Sequence, residues 1–110
     1  MASTYKVLGQ TRPADTSAAD LYTVPAGGQA VTSTLTVTNT TANQATYRIF
    51  VRVDGATATE ANALAYDAQI AGNSTVTLTL GLTLDAADIY TVQSGTGNAL
   101  TFQAFGLEII

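Results

Sequence analysis

This 110-residue chain contains neither cysteine nor histidine. The absence of cysteine excludes a disulfide framework and thiolate chemistry, though it does not fix the compartment. With histidine missing too, the commonest general base and the soft metal ligands are gone. Charge is also scarce. Asp, Glu, Lys and Arg make up 11% of the residues, against about 25% in an average globular protein. Interface cores are depleted in charge, so the deficit points to assembly with other protein. Only Lys6, Arg12, Arg48 and Arg52 are cationic, and the formal net charge is −4. Nucleic-acid binders gain affinity by neutralising phosphates with Lys and Arg, so this balance argues against direct DNA or RNA binding. No apolar run approaches the roughly 20 residues of a membrane-spanning helix. The start, Met1-Ala2-Ser3-Thr4-Tyr5-Lys6, lacks the charged and apolar regions of a signal peptide. Synthesis in a cytoplasm is the expectation, with no membrane partner. The length suits one domain with one hydrophobic core.

What the chain has in quantity is threonine at a period of two. From Ser74 to Leu84 the apolar residues Val76, Leu78, Leu80, Leu82 and Leu84 alternate with residues that are mostly threonine. An earlier segment repeats this, with Val31, Ser33, Leu35 and Val37 alternating with Thr32, Thr34, Thr36 and Thr38. Such a period marks a strand with one buried and one exposed face. Soluble strands often carry Lys or Glu on the exposed face to stop edges pairing. Neutral threonine favours strands and tolerates being covered. These faces suit packing against protein.

Turn signals divide the chain at the 8–12-residue spacing common in sandwiches and barrels. Strands are expected over 5–8 (ended by Gly9), 21–24, 29–38, 45–53, 64–70, 74–84, 89–93 and 99–109. A hairpin is expected between the third and fourth, and at most one helical turn within 58–65. Pro25-Ala26-Gly27-Gly28 is a strong turn, since proline fixes φ and glycine permits positive values. The predicted fold is all-β, an antiparallel β-sandwich of jelly-roll type with seven to eight strands. Residues 1–19 read as an N-terminal strand and extended arm, and 20–110 as the sandwich domain.

Candidate sites are few. Asp85 with Asp88, and Asp15 with Asp20, sit at turns or loops where such residues ordinarily bond to their own backbone. No run has calcium-loop spacing. The glycines of 94–98 lack the following Lys and helix of a phosphate loop. No catalytic, cofactor or metal site is expected, and the chain reads as a non-enzyme. Asn39-Thr40-Thr41 and Asn73-Ser74-Thr75 match the glycosylation pattern but read as turn residues. The better candidate is strand four. If Tyr47, Ile49, Val51 and Val53 face the core, Arg48, Phe50 and Arg52 share the other face, and aromatic residues with arginine are enriched at interfaces. Ile110 is a further candidate contact at the apolar C-terminal end, while Phe102, Phe105, Leu107 and Ile109 read as core. Tyr5, Tyr22, Tyr66 and Tyr90 also read as core, which weakens a glycan-binding reading.

Several segments in order resemble a family of small tailed-bacteriophage virion proteins: Asp20-Leu21-Tyr22-Thr23-Val24-Pro25-Ala26-Gly27, Thr36-Val37-Thr38-Asn39-Thr40, Tyr47-Arg48-Ile49, Leu64-Ala65-Tyr66-Asp67, the stretch from Ile70 to Gly81, and Ala104-Phe105-Gly106-Leu107-Glu108-Ile109. The resemblance covers the chain from Asp20 onward, and its motifs are structural. It implies a β-sandwich built into the particle, without enzymatic activity or cofactor, that binds through surfaces. The expected function is a non-enzymatic bacteriophage structural protein, foremost a capsid decoration (cement) protein bridging capsid subunits. Its partners would be the major capsid protein, or neck and tail proteins, and copies of itself. The expected location is the virion, after synthesis in the host bacterial cytoplasm. The alternatives are a neck or tail accessory protein, or a tail-fibre or tip domain binding host glycans.

Overall fold

β-branched and aromatic residues at a period of two favour the pleated chain, and nine strands form among the described residues. They are β1 (Ser3–Thr11), β2 (Ala19–Thr23), β3 (Gln29–Asn39), β4 (Ala45–Arg52), β5 (Ala63–Ile70), β6 (Thr75–Leu78), β7 (Leu82–Asp85), β8 (Ile89–Ser94) and β9 (Leu100–Ile109). The computed structural model describes residues 2–79 and 81–110. One sheet runs β1-β9-β3-β6, with β7 also pairing β3; the other runs β2-β8-β4-β5. Every pairing is antiparallel, and the pairs are nested: β1 with β9, β2 with β8, β3 with β6 and β7, β4 with β5. Taking β6 and β7 as halves of one interrupted strand, this is the double-sheet jelly roll. The expected fold class is what forms.

The core lies between the sheets. Leu35, Val37, Leu100, Phe102 and Ala104 from one meet Tyr47, Ile49, Tyr90 and Val92 from the other, all buried. Burying each large apolar side chain contributes roughly 1.5–3 kcal/mol. The polar groups inside are satisfied: the Tyr90 hydroxyl donates to Thr32 Oγ1 at 2.7 Å. Among the described residues no buried side-chain nitrogen or oxygen lacks a partner.

Four details differ from the expectation. First, β3 and β4 lie in different sheets and form no hairpin. Asn39 holds the arch between them: its Nδ2 donates to Asn43 O at 2.8 Å, and its Oδ1 accepts from Thr41 N at 3.0 Å. That side chain is 1% exposed, so it serves the turn and offers nothing to a glycan.

Second, the long threonine strand is broken. β6 pairs Leu35 to Thr38, and β7 pairs Gln29 to Thr32. Between them Gly81 has φ +57°. The alternation holds in both halves, with Val76, Leu78, Leu82 and Leu84 turned inward; the expectation for Leu80 lies outside the described residues. Third, β3 changes phase. Opposite β9, Thr32 pairs Gly106 and Thr34 pairs Phe105, leaving Ser33 as a bulge. An extra residue flips the side-chain phase. Leu35 and Val37 are therefore buried as read, but before the bulge it is Ala30 and Thr32 that turn inward, not Val31. Fourth, strand ends move. β1 continues past Gly9 through a bulge at Leu8. Val53 is exposed in a 3-10 turn (Val53–Gly55) instead of lying in the core. The helical turn expected near 58–65 is a 3-10 turn at Glu60–Asn62, capped by Thr59.

One buried ion ties the sheets together at their edge. Glu108 of β9 accepts from the Tyr22 hydroxyl of β2 at 2.5 Å and from Lys6 Nζ of β1 at 3.3 Å. The Tyr22 hydrogen bond, and then Lys6, hold its carboxyl below the ordinary 4.5 against the opposing effect of burial. Burial and the carboxylate push the Tyr22 hydroxyl up. A folded-state value below the unfolded one means the stabilisation is complete above about 4.5 and is lost as pH falls through the lower value. Glu108→Gln should therefore cost about 1–2 kcal/mol at pH 7, the difference between charged and neutral hydrogen bonds. Thermal melts of both chains from pH 7 to 3 should show this gap closing in acid; a gap unchanged by pH would refute it.

Candidate protein-contact surfaces

On β4 the expected facing is found, but the side chains are occupied within the chain. Arg48 Nε donates to Asp67 Oδ1 at 2.7 Å and its Nη2 to Oδ2 at 3.1 Å. The guanidinium carbon sits 4.0 Å from the centre of the Tyr66 ring. This follows from a bulge in β5. Tyr47 pairs Ala68 and Ile49 pairs Ala65, so Tyr66 and Asp67 both stand opposite Arg48. The hydrogen bonding holds Asp67 below the carboxylate range and raises Arg48. Arg52 is equally committed. Its Nε donates to Ala56 O at 2.6 Å, Nη2 to Gly55 O at 3.2 Å, and Nη1 to Asp20 Oδ1 at 3.1 Å.

Phe50 lies between these arginines on the side away from the core, as predicted, but it is only 4% exposed. Its ring meets Tyr66 edge-on, centroids 6.4 Å apart and planes at 82°. Ala58, Thr59 and Glu60 of the β4–β5 connection line the same cleft. The chain's own loop covers it, so it presents no bare surface to a neighbour. Ile110 is exposed, and its backbone exchanges hydrogen bonds with Ala2 at 2.7 and 2.9 Å.

The open, largely uncharged surface is elsewhere, on the outer face of the β1-β9-β3-β6/β7 sheet. The register sets its rows across the strands. Ser3, Ile109, Gln29 and Asp85 form one, and Tyr5, Leu107, Val31 and Thr83 the next. Val7, Phe105 and Thr34 follow, then Gln10, Gln103, Thr36 and Thr77, and finally Thr101, Thr38 and Thr75. Asp85, at one corner, is the only charge in these rows. Tyr5 is 87% exposed and Val7 44%. Phe105, Leu107 and Ile109 are half-buried and face outward, where the sequence reading put them in the core. Tyr22 and Tyr90 are core residues as expected, but Tyr5 and Tyr66 are exposed. The signal available in the sequence was β9, apolar on both faces: a strand covered on both sides reads that way.

The opposite sheet has a different character. Its outer side carries Arg48, Asp67, Arg52 and Asp20 in ion pairs. The chain thus has one charged, self-satisfied side and one neutral side.

The carboxylates at turns do structural work. Asp88 accepts from Asp85 N at 2.9 Å and Asp54 N at 2.8 Å, and Asp15 accepts from Ser17 N at 2.9 Å. Among the described residues no three His, Cys, Asp or Glu side chains gather as metal ligands would. Four surface depressions measure ≈ 160 to ≈ 350 Å³, at or below the lower end of the roughly 300–1,000 Å³ typical of ligand sites.

Neither a protein-family model nor a curated protein matches this chain. Among solved structures it is similar to a chain in the structure of infectious bursal disease virus, Gx strain. The TM-score is 0.50 and the identity 11%, over 97% of this chain and 31% of that one. The chain therefore spans less than a third of that viral chain's length, and the likeness is one of fold.

Proposed function

We propose that this protein is a non-enzymatic structural component of a virion. The observation that carries the reading is the neutral outer face of the β1-β9-β3-β6/β7 sheet, which has the charge depletion of an interface core. The jelly roll is used by viral capsid domains, but also by lectins and cupins, so the fold alone does not choose among them. Three further points support the virion reading: the match to a viral chain, the resemblance to tailed-phage virion proteins, and polar side chains spent on the fold. The finer reading is a bacteriophage capsid decoration protein. Copies would bridge capsid subunits, each modest contact multiplied by symmetry. Its partners would then be the major capsid protein and further copies, and its location the virion after synthesis in the bacterial cytoplasm.

Cryo-electron microscopy of purified particles, with the protein tagged, tests this directly. Regular density on the capsid is the expected result. Density at the neck or tail would keep the structural role and move its position. Absence from purified particles would overturn the proposal.

A further inference from the structure

We infer that a second copy of this chain packs on the neutral face of the β1-β9-β3-β6/β7 sheet, sheet against sheet, about a two-fold axis. The inference rests on reading that face as a contact surface. It goes further by naming the occupant.

Three observations favour a second copy. Among the described side chains in its rows the face carries no cation and one carboxylate, Asp85, so these rows hold little that would select a charged partner. The chain as a whole is at −4, so two copies repel across most orientations and meet without facing charges here. The rows are also self-complementary. With the axis lying along β9, Leu107 meets its mate, and Tyr5 on β1 lies over Val31 on the other copy's β3. The Gln and Thr rows meet each other likewise. β7 is two strands from β9, so the two Asp85 side chains fall about 19 Å apart on opposite rims at a strand spacing of about 4.8 Å. That is beyond the roughly 8 Å screening length of physiological salt.

The area is adequate. With the axis along β9 the three strands β1, β9 and β3 of each copy overlap, spanning about 14 Å, and the ten residues of β9 span about 34 Å. The footprint is on the order of 500 Å² per copy before side-chain relief is counted, about 1,000 Å² in all, which reaches the lower bound for a specific interface. Two sheets packed this way rest about 10 Å apart with strands within about 30°.

Sedimentation of the full chain should show a concentration-dependent dimer. Tyr5→Glu and Val7→Glu alter exposed side chains, so circular dichroism and melting should stay close to the parent. Each should weaken the dimer about 30-fold or more, as losing a central contact does. Gln69→Glu, on the outer face of the other sheet, should leave it unchanged. Because the chain lacks cysteine, a single Gln103→Cys gives a second readout. A bismaleimide should join two such copies, and should not join Gln69→Cys copies. A chain monomeric at every concentration, a dimer indifferent to both glutamates, or cross-linking through position 69 alone would overturn the inference. A monomer that still loads onto particles would overturn it while leaving the virion role standing. A dimer from a chain absent from particles would do the reverse.

Discussion

Phe50→Ala should lower the melting temperature by roughly 12–20 °C, corresponding to a loss of about 3–5 kcal/mol for a buried phenylalanine. The ring is outside the main core, yet it is as buried as many core residues. Its removal would strip Tyr66 of its edge contact and leave the 56–62 connection without a floor. That connection is itself held by Arg52, which bonds the carbonyls of Gly55 and Ala56, so it is tied at one end and collapses only in part. A cavity that cannot collapse costs more than one that can. Phe50→Leu, which refills most of the volume, should cost much less. The measurement is a thermal melt alongside particle binding. A near-normal melt with weakened binding would return Phe50 to the contact surface and show that the loop is a removable cover.

Gly106→Ala should also be strongly destabilising, for a backbone reason. A Cβ at position 106 would lie 2.0 Å from the carbonyl oxygen of Val31 and 3.0 Å from Thr32 Cα. Neither atom is at the end of a side chain that can swing away. The crowding arises beside Ser33, where β3 bulges against β9. Relief would have to come from separating β9 from β3, two central strands of the sheet. Overpacking of this kind costs about 1–3 kcal/mol and sometimes more, and here the upper end or beyond is expected. Gly81→Ala is the control. Its φ is +57° but nothing stands within 4 Å of the added carbon, so only the left-handed backbone penalty of about 1–2 kcal/mol applies. Denaturant midpoints of the two variants decide the matter: equal losses would mean that the Ser33 bulge relaxes freely.

The strands were legible because alternation and turn chemistry are local. Pro25 to Gly28 stops β2, and the expected bounds of β3, β5 and β9 fall within one residue of those that form. Pairing was not legible, because it depends on residues far apart. Asn39 reads locally as an ordinary hairpin turn, whereas β3 and β4 lie in different sheets and its side chain bonds Ile70 O of the second one. The bulges at Leu8, Ser33 and Asp67 are single extra residues set by how neighbouring strands fit, and no local composition marks them. Each changes which side chains face out. That is why Val31 was placed inside, and why Arg48 was not matched with Asp67. Tyr5 and Tyr22 both sit in short strand-forming runs, Tyr5-Lys6-Val7-Leu8 and Leu21-Tyr22-Thr23-Val24. One lies on an edge strand facing outward and the other under Glu108, a difference only the assembled sheets create. The outward direction of Phe50 could be read from alternation, whereas the loop that covers it could not.

The nesting of strand pairs also has a consequence in time. Among the described strands only β4 and β5 are both paired and consecutive in sequence, so they alone can form a hairpin early. Every layer outside them waits for the one within, and the outermost ladder joins β1 to β9, with Lys6 meeting Glu108 across 102 positions. Rates of folding fall as contacts become less local, since chain entropy is lost before distant pairings return it. Assembly should therefore proceed from the middle of the chain toward its ends. β1 would wait, unpaired and rich in exposed hydrogen-bonding groups, until β9 has taken its place. In that interval the uncharged strands are the part of the molecule most open to joining the wrong neighbour.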